Sequence, residues 1–137
     1  MGYHYEILEH KADIKFKITA DNLNDLFEGA LQGMADILVL KEDLTEEKIE
    51  KNIKVSSLDL SSLLVDFLSE ILTFSDIEDC VFNEVKINDL KNNKIEAKIS
   101  GFKFKKLKEE IKAVTYHQSR VEQNKDGQWE AVVLFDI

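Results

Sequence analysis

The sequence predicts an α+β fold: two long amphipathic helices packed on a largely antiparallel or mixed β-sheet. Three observations point there. Apolar residues recur at steps of three and four within 23–38 and again within 60–72, the spacing of a helix face. Period-two alternation recurs around turn residues, at 3–8 and 13–20, at 81–87 and 94–101, and within 111–137. No regular strand-helix-strand alternation links these segments. With no proline in the chain to mark a linker, residues 1–137 are read as one domain.

Taken in order, Tyr3, Tyr5 and Ile7 alternate with His4, Glu6 and Leu8, and after a break at 9–12, Ile14, Phe16 and Ile18 alternate with Lys15, Lys17 and Thr19. Both segments read as strands with one wet face. Asp21 or Asn22 offers a side-chain oxygen to cap a helix of about four turns. Its buried stripe is Leu23, Leu26, Phe27, Ala30, Leu31, Met34, Ala35 and Leu38. Residues 42–51 are charged and aperiodic; they are expected to form a mobile loop leading into a short strand at 53–55. Ser57 is the expected cap of a second helix, whose stripe of Leu60, Leu63, Leu64, Phe67, Leu68, Ile71 and Leu72 ends near Asp76. Strands at 81–87 and 94–101 are joined through 88–93, where Asn and Asp favour turns. A final hairpin turns at Lys125-Asp126-Gly127. Its second arm places Trp129, Ala131, Val133 and Phe135 on one face and Val132 and Leu134 on the other, so it belongs inside a sheet.

Composition narrows the function. A chain of 137 residues, 44% hydrophobic, can bury roughly 65–70% of its unfolded surface. With 27 acidic against 18 basic residues, its net charge of -9 repels a phosphate backbone. Unaided nucleic-acid binding, including DNA binding, is therefore not expected. Lysines cluster at one place, Lys103, Lys105, Lys106 and Lys108. That patch reads as a solvated edge, or alternatively as a contact for RNA or an acidic partner. The lone Cys80 has no disulfide partner, and there is neither a signal-peptide pattern nor an apolar run long enough to span a bilayer. A soluble cytoplasmic protein without a membrane partner is expected.

The familiar catalytic patterns are missing. Neither GxxxxGK[ST] nor GxGxxG occurs, nor a G-x-S-x-G elbow, nor an HExxH pair. Cys80 with His117 has the makings of a nucleophile and base, but Cys80 adjoins Val81-Phe82 in a core-like run, which speaks against it. The chemistry that stands out is carboxylate chemistry. Glu9-His10-Lys11-Ala12-Asp13 gathers acids and an imidazole in a short break between strands. At the other end, Asp136 and the α-carboxylate of Ile137 lie one residue apart. If the break packs beside the chain end, Asp13, Asp136 and Ile137 make a three-donor site for a hard cation, Ca²⁺, Mg²⁺ or Mn²⁺. The plain alternatives are an Asp13 that bonds a turn amide and histidines that are simply packed. Lys112 alternates with Val114 and Tyr116 on a strand expected to be buried, an odd place for an ammonium unless an acid or anion meets it; a lysine snorkelling at an edge is the alternative.

Two stretches carry a resemblance. Tyr5-Glu6-Ile7-Leu8-Glu9-His10-Lys11-Ala12-Asp13-Ile14 at one end resembles a signature of the archease family. So do Ile111-Lys112-Ala113-Val114-Thr115-Tyr116-His117 and Val132-Val133-Leu134-Phe135-Asp136-Ile137 at the other. The likeness spans essentially the whole chain. It implies a small acidic accessory protein, not itself an enzyme, that activates the GTP-dependent, manganese-requiring tRNA-splicing RNA ligase by promoting guanylylation of its active-site histidine and repeated turnover. Any tRNA contact would then run through the ligase. A chaperone-like partnership with a tRNA-modifying methyltransferase is the alternative role the resemblance implies. Carried over by position, the family's metal site falls on Asp13, Asp136 and Ile137, and its functional lysine on Lys112. Two positions depart from the commoner family residues: Lys11, where many relatives have Thr, and Gln118, where many have Gly.

Overall fold

Residues 2–9 and 13–137 are described in the structure, a computed structural model, with Glu9 described by its backbone alone. The chain ends build one sheet. β1 (Tyr3–Glu9) pairs antiparallel with β2 (Asp13–Ala20), and β2 pairs in turn with the last strand, β7 (Trp129–Asp136). The preceding strand, β6 (Ala113–Gln123), completes the order β1-β2-β7-β6. The middle of the chain builds a second sheet from β3 (Leu44–Ser56), β4 (Cys80–Lys91) and β5 (Lys94–Phe104), in the order β3-β5-β4. All of the pairings are antiparallel. The α+β class therefore stands, with two sheets where the sequence pointed to one. Local alternation shows that a segment is a strand; it does not say which distant strand it joins.

Between the strands run α1 (Leu23–Leu38) and α2 (Leu60–Glu78), each touching strands of both sheets. Their apolar stripes are buried as the spacing requires. Leu26, Phe27, Ala30 and Leu31 of α1, with Leu63, Phe67, Leu68 and Ile71 of α2, are fully shielded, and Phe27 meets Phe67 at 5.4 Å between ring centroids. Central β7 is buried on both faces, as its pattern predicts: Val133 and Phe135 face the helices, while Val132 and Leu134 are shielded on the other side.

Helix starts follow side-chain chemistry. Asn22 caps α1, its Oδ1 accepting the Asp25 N–H at 2.8 Å. At α2 the expected Ser57 is displaced by Asp59, whose carboxylate accepts the Ser62 N–H at 2.8 Å. That bond from the Ser62 backbone holds the Asp59 carboxyl below its ordinary range. Ser57 lies too far ahead of the first turn to reach it, and its hydroxyl donates to Asp66 instead.

The expected loop at 42–51 is a strand. Only a short 3₁₀ turn, Lys41–Asp43, precedes the 13 residues of β3. Its charges sit on an edge strand and are met across the sheet, Lys98 with Glu50 at 3.4 Å and Lys103 with Glu47 at 3.8 Å. Ile49, Ile53 and Val55 turn inward. Charge on an edge strand blocks further pairing, so a sparse apolar period there was a mark of the edge. The turn between β4 and β5 is also tighter than the expected 88–93. Asn92 and Asn93 alone make it, at φ 52° and 57°, the left-handed pair that a two-residue hairpin needs.

Candidate functional site at the end of the four-stranded sheet

The pairing of β2 with β7 decides where the acids go. In that register Asp13, the first residue of β2, lies directly opposite Asp136, the last of β7. Ile14 and Phe135, the next pair inward, pack on the core side, so period-two alternation turns both carboxylates to the opposite face at the sheet's end. Directly opposed side chains on one sheet face sit with Cβ atoms roughly 4.5–5.5 Å apart, and like charges so placed repel. Asp13 is half-buried and Asp136 exposed. Residues more than a hundred positions apart thus form one corner.

Lys112 and Ile137 complete it. On the other side of β7, Ala113 faces Asp136, and the Lys112 N–H donates to the Asp136 carbonyl at 2.7 Å. This bond fixes the backbone bearing the lysine beside the backbone bearing the acid. The ammonium itself is exposed, so the buried strand position expected for Lys112 is not what the structure shows: the residue precedes β6, outside the packed part of the strand. Ile137 is partly buried and packs against the core, which holds the chain end at the corner. His10, Lys11 and Ala12 lie outside the described residues, as does the side chain of Glu9.

The fit to a cation can be judged from the donors. Among the described residues no three His, Cys, Asp or Glu side chains gather into a metal-holding group. The corner offers two side-chain carboxylates among the described residues, and the third donor expected from the sequence, at Ile137, adjoins Asp136 in the chain. All three are hard oxygen donors, suited to Ca²⁺, Mg²⁺ or Mn²⁺ and poorly suited to soft thiophilic metals. Two opposed carboxylates are also the arrangement that a cation would relieve.

Elsewhere the candidates separate. Cys80 is fully buried on the three-stranded sheet, and burial, then nearby Glu78, pushes its thiol up to about 11. His117 is exposed on the four-stranded sheet. A thiol so protonated is no nucleophile at neutral pH. Of the clustered lysines, Lys103 is the last but one residue of β5 and pairs with Glu47, while Lys105, Lys106 and Lys108 are exposed in the segment that follows.

The sequence reading missed one constellation. The Tyr116 hydroxyl donates to Asp66 of α2, which also accepts from Ser57. The bond to Asp66, then burial, raises Tyr116 above the ordinary phenol value. With partners 50 positions apart, no local signal could have joined them.

Comparison with known proteins gives one consistent answer. The model of the archease protein family matches residues 5–137. The archease of Pyrococcus furiosus is 38% identical over 97% of this chain and 98% of its own length. That of Methanosarcina mazei is 36% identical over 99% of this chain and 97% of its own. Among solved structures, protein 1598 of Methanobacterium thermoautotrophicum superposes with a TM-score of 0.71 at 26% identity, covering 97% of this chain and 98% of that one. An archease from Thermotoga maritima, described as a possible chaperone, has the same fold, with a TM-score of 0.68 at 24% identity and coverage of 95% and 94%. On the family match and the relatives together, this chain belongs to the archease family.

Proposed function

We propose that the chain is a cytoplasmic accessory protein of the GTP- and manganese-dependent tRNA-splicing RNA ligase, promoting its guanylylation and repeated turnover without catalysis of its own. In this reading Asp13, Asp136 and the Ile137 α-carboxylate hold a divalent cation, with Ca²⁺ preferred. A site at a chain end, with few and adjustable donors, suits the flexible coordination of Ca²⁺ better than the strict octahedron of Mg²⁺. When bound, the cation would offset the repulsion between the two aspartates and remove most of the negative charge of the acidic corner.

The observation that carries this proposal is the register placing Asp13 opposite Asp136, with Lys112 tied to the Asp136 backbone. It unites the acids and the lysine at a sheet end, where they can enter another protein's cleft. The exposed Lys112 ammonium supplies a compact positive charge for a carboxylate or a nucleotide phosphate. Family membership supports the accessory role.

The test is a guanylylation and turnover assay of the ligase with and without this chain. Asp13→Ala and Asp136→Ala are each expected to lower the stimulation by roughly ten-fold or more, about 1.4 kcal/mol of coupling. Full stimulation by both variants overturns the proposal. A few residues appended after Ile137 move the α-carboxylate away, so an unchanged response to such a tagged chain removes that group from the site and leaves the aspartates.

A further inference from the structure

A cleft of about 510 Å³ opens beside α2, with Val55 of edge strand β3 on one side and Tyr116 of edge strand β6 on the other. Its floor carries Asp66, Glu70 and Phe74, and among the described residues no lysine or arginine lines it. Asp66 and Glu70 lie four residues apart on the helix, so their carboxylates are neighbours of like charge. No ion pair to either is found among the described residues. Above them stands Tyr116, a large ring left 63% exposed, with its hydroxyl anchored on Asp66. The anchoring fixes the orientation of the ring. Phe74 already holds one cation within the molecule, the Lys51 ammonium at 5.3 Å from its centroid.

We propose that this cleft receives an arginine side chain from a partner protein, its guanidinium set between the Asp66 and Glu70 carboxylates and the face of Tyr116. Charge complementarity selects a cation over a phosphate-bearing ligand. The exposed aromatic face selects guanidinium over ammonium, because the planar, weakly hydrated group stacks on a ring while its edge bonds carboxylates. Val55 and Phe74 suit the aliphatic stem. Position supports a protein occupant too: Tyr116 lies three residues along β6 from Ala113, which faces Asp136, so the cleft is roughly 10 Å of strand from the acidic corner. Tyr116 turns to the α2 side of the sheet and the corner acids to the other, so a protein that reaches both wraps the open edge at β6. Only the identity of that partner rests on the accessory-protein reading; the cleft chemistry does not.

The test uses the full chain, labelled with ¹⁵N, and the peptide acetyl-Gly-Arg-Gly-amide. Saturable shifts are expected at residues 66–74 and 115–117, weakened about ten-fold or more in Glu70→Gln, which touches no internal hydrogen bond of the cleft, and in Asp66→Asn. The citrulline analogue, which keeps the shape and loses the charge, is expected to leave these amides unmoved, and the lysine analogue to bind more weakly. Binding by the arginine peptide that Glu70→Gln and Asp66→Asn leave unchanged overturns the proposal, as does no saturable shift. Saturation by guanosine in place of the peptide assigns the cleft to a nucleobase, and concentration-dependent shifts of the chain alone assign it to a second copy; both also overturn it. None of these outcomes depends on ligase stimulation, so failure here and failure of the accessory role are told apart.

Discussion

At the scale of single residues, Gln118 shows what sequence and structure each contribute. It sits at φ 59°, in the irregular stretch of β6 between Thr115 and Arg120 where the pairing with β7 shifts register. A side chain in this left-handed region costs about 1–2 kcal/mol, and glycine escapes that cost while losing about 0.5–1 kcal/mol to extra freedom when unfolded. Gln118→Gly is therefore expected to stabilise the chain by about 0.5–1 kcal/mol, read as a Tm higher by a few degrees in thermal unfolding; a lower Tm contradicts the backbone account. The two aspartates of the candidate site were legible in the same limited way. Asp13 and Asp136 stood out as hard donors at the ends of strands, but only the long-range pairing of β2 with β7 places them opposite one another. Of the two readings of Lys112 the buried one fails, because alternation counted back from Val114 continues into a residue that the strand does not include.

At the scale of elements, the helices and the hairpins were readable because their signals are local, whereas β3 was hidden. An edge strand with charge on its open face lacks the apolar alternation that identifies a buried one, and its ion pairs with β5 appear only once the sheet is assembled. The seat of β2 against α1 depends on a glycine that the apolar stripe does not reveal. A Cβ at Gly33 would lie 1.8 Å from Phe16 Cζ. The Phe16 ring cannot retreat, since Tyr5 lies 4.9 Å away on one side and Phe135 5.9 Å on another. Gly33→Ala gains about 1 kcal/mol of helix propensity and meets an overpacking cost of about 1–3 kcal/mol. With backing on both sides of the ring, the upper part of that range applies. A net loss of about 1–2 kcal/mol is expected from the midpoint of urea unfolding. A variant as stable as the parent would show that β2 and α1 can separate without loss.

At the scale of the whole molecule, the acidic corner belongs to a chain of net charge -9, so any salt stabilises it somewhat by screening. Specific cation binding has a different signature. A ligand that binds only the folded state adds RT ln(1 + [L]/Kd), about 2.7 kcal/mol at a hundred times Kd. Millimolar CaCl₂ is thus expected to raise Tm by several degrees beyond NaCl of equal ionic strength, and EDTA to reverse the gain. The decisive comparison is Asp136→Asn. Without calcium this variant loses the repulsion across the Asp13 and Asp136 pair, worth about 0.2–1 kcal/mol, and should unfold at the same temperature as the parent or slightly above it. With calcium it should fall below the parent, because a donor has gone. This crossing of the two Tm curves requires both the like-charge pair and the bound cation. Parallel curves, with the variant shifted equally at every calcium concentration, would mean that the two carboxylates meet only as neighbours in a sheet.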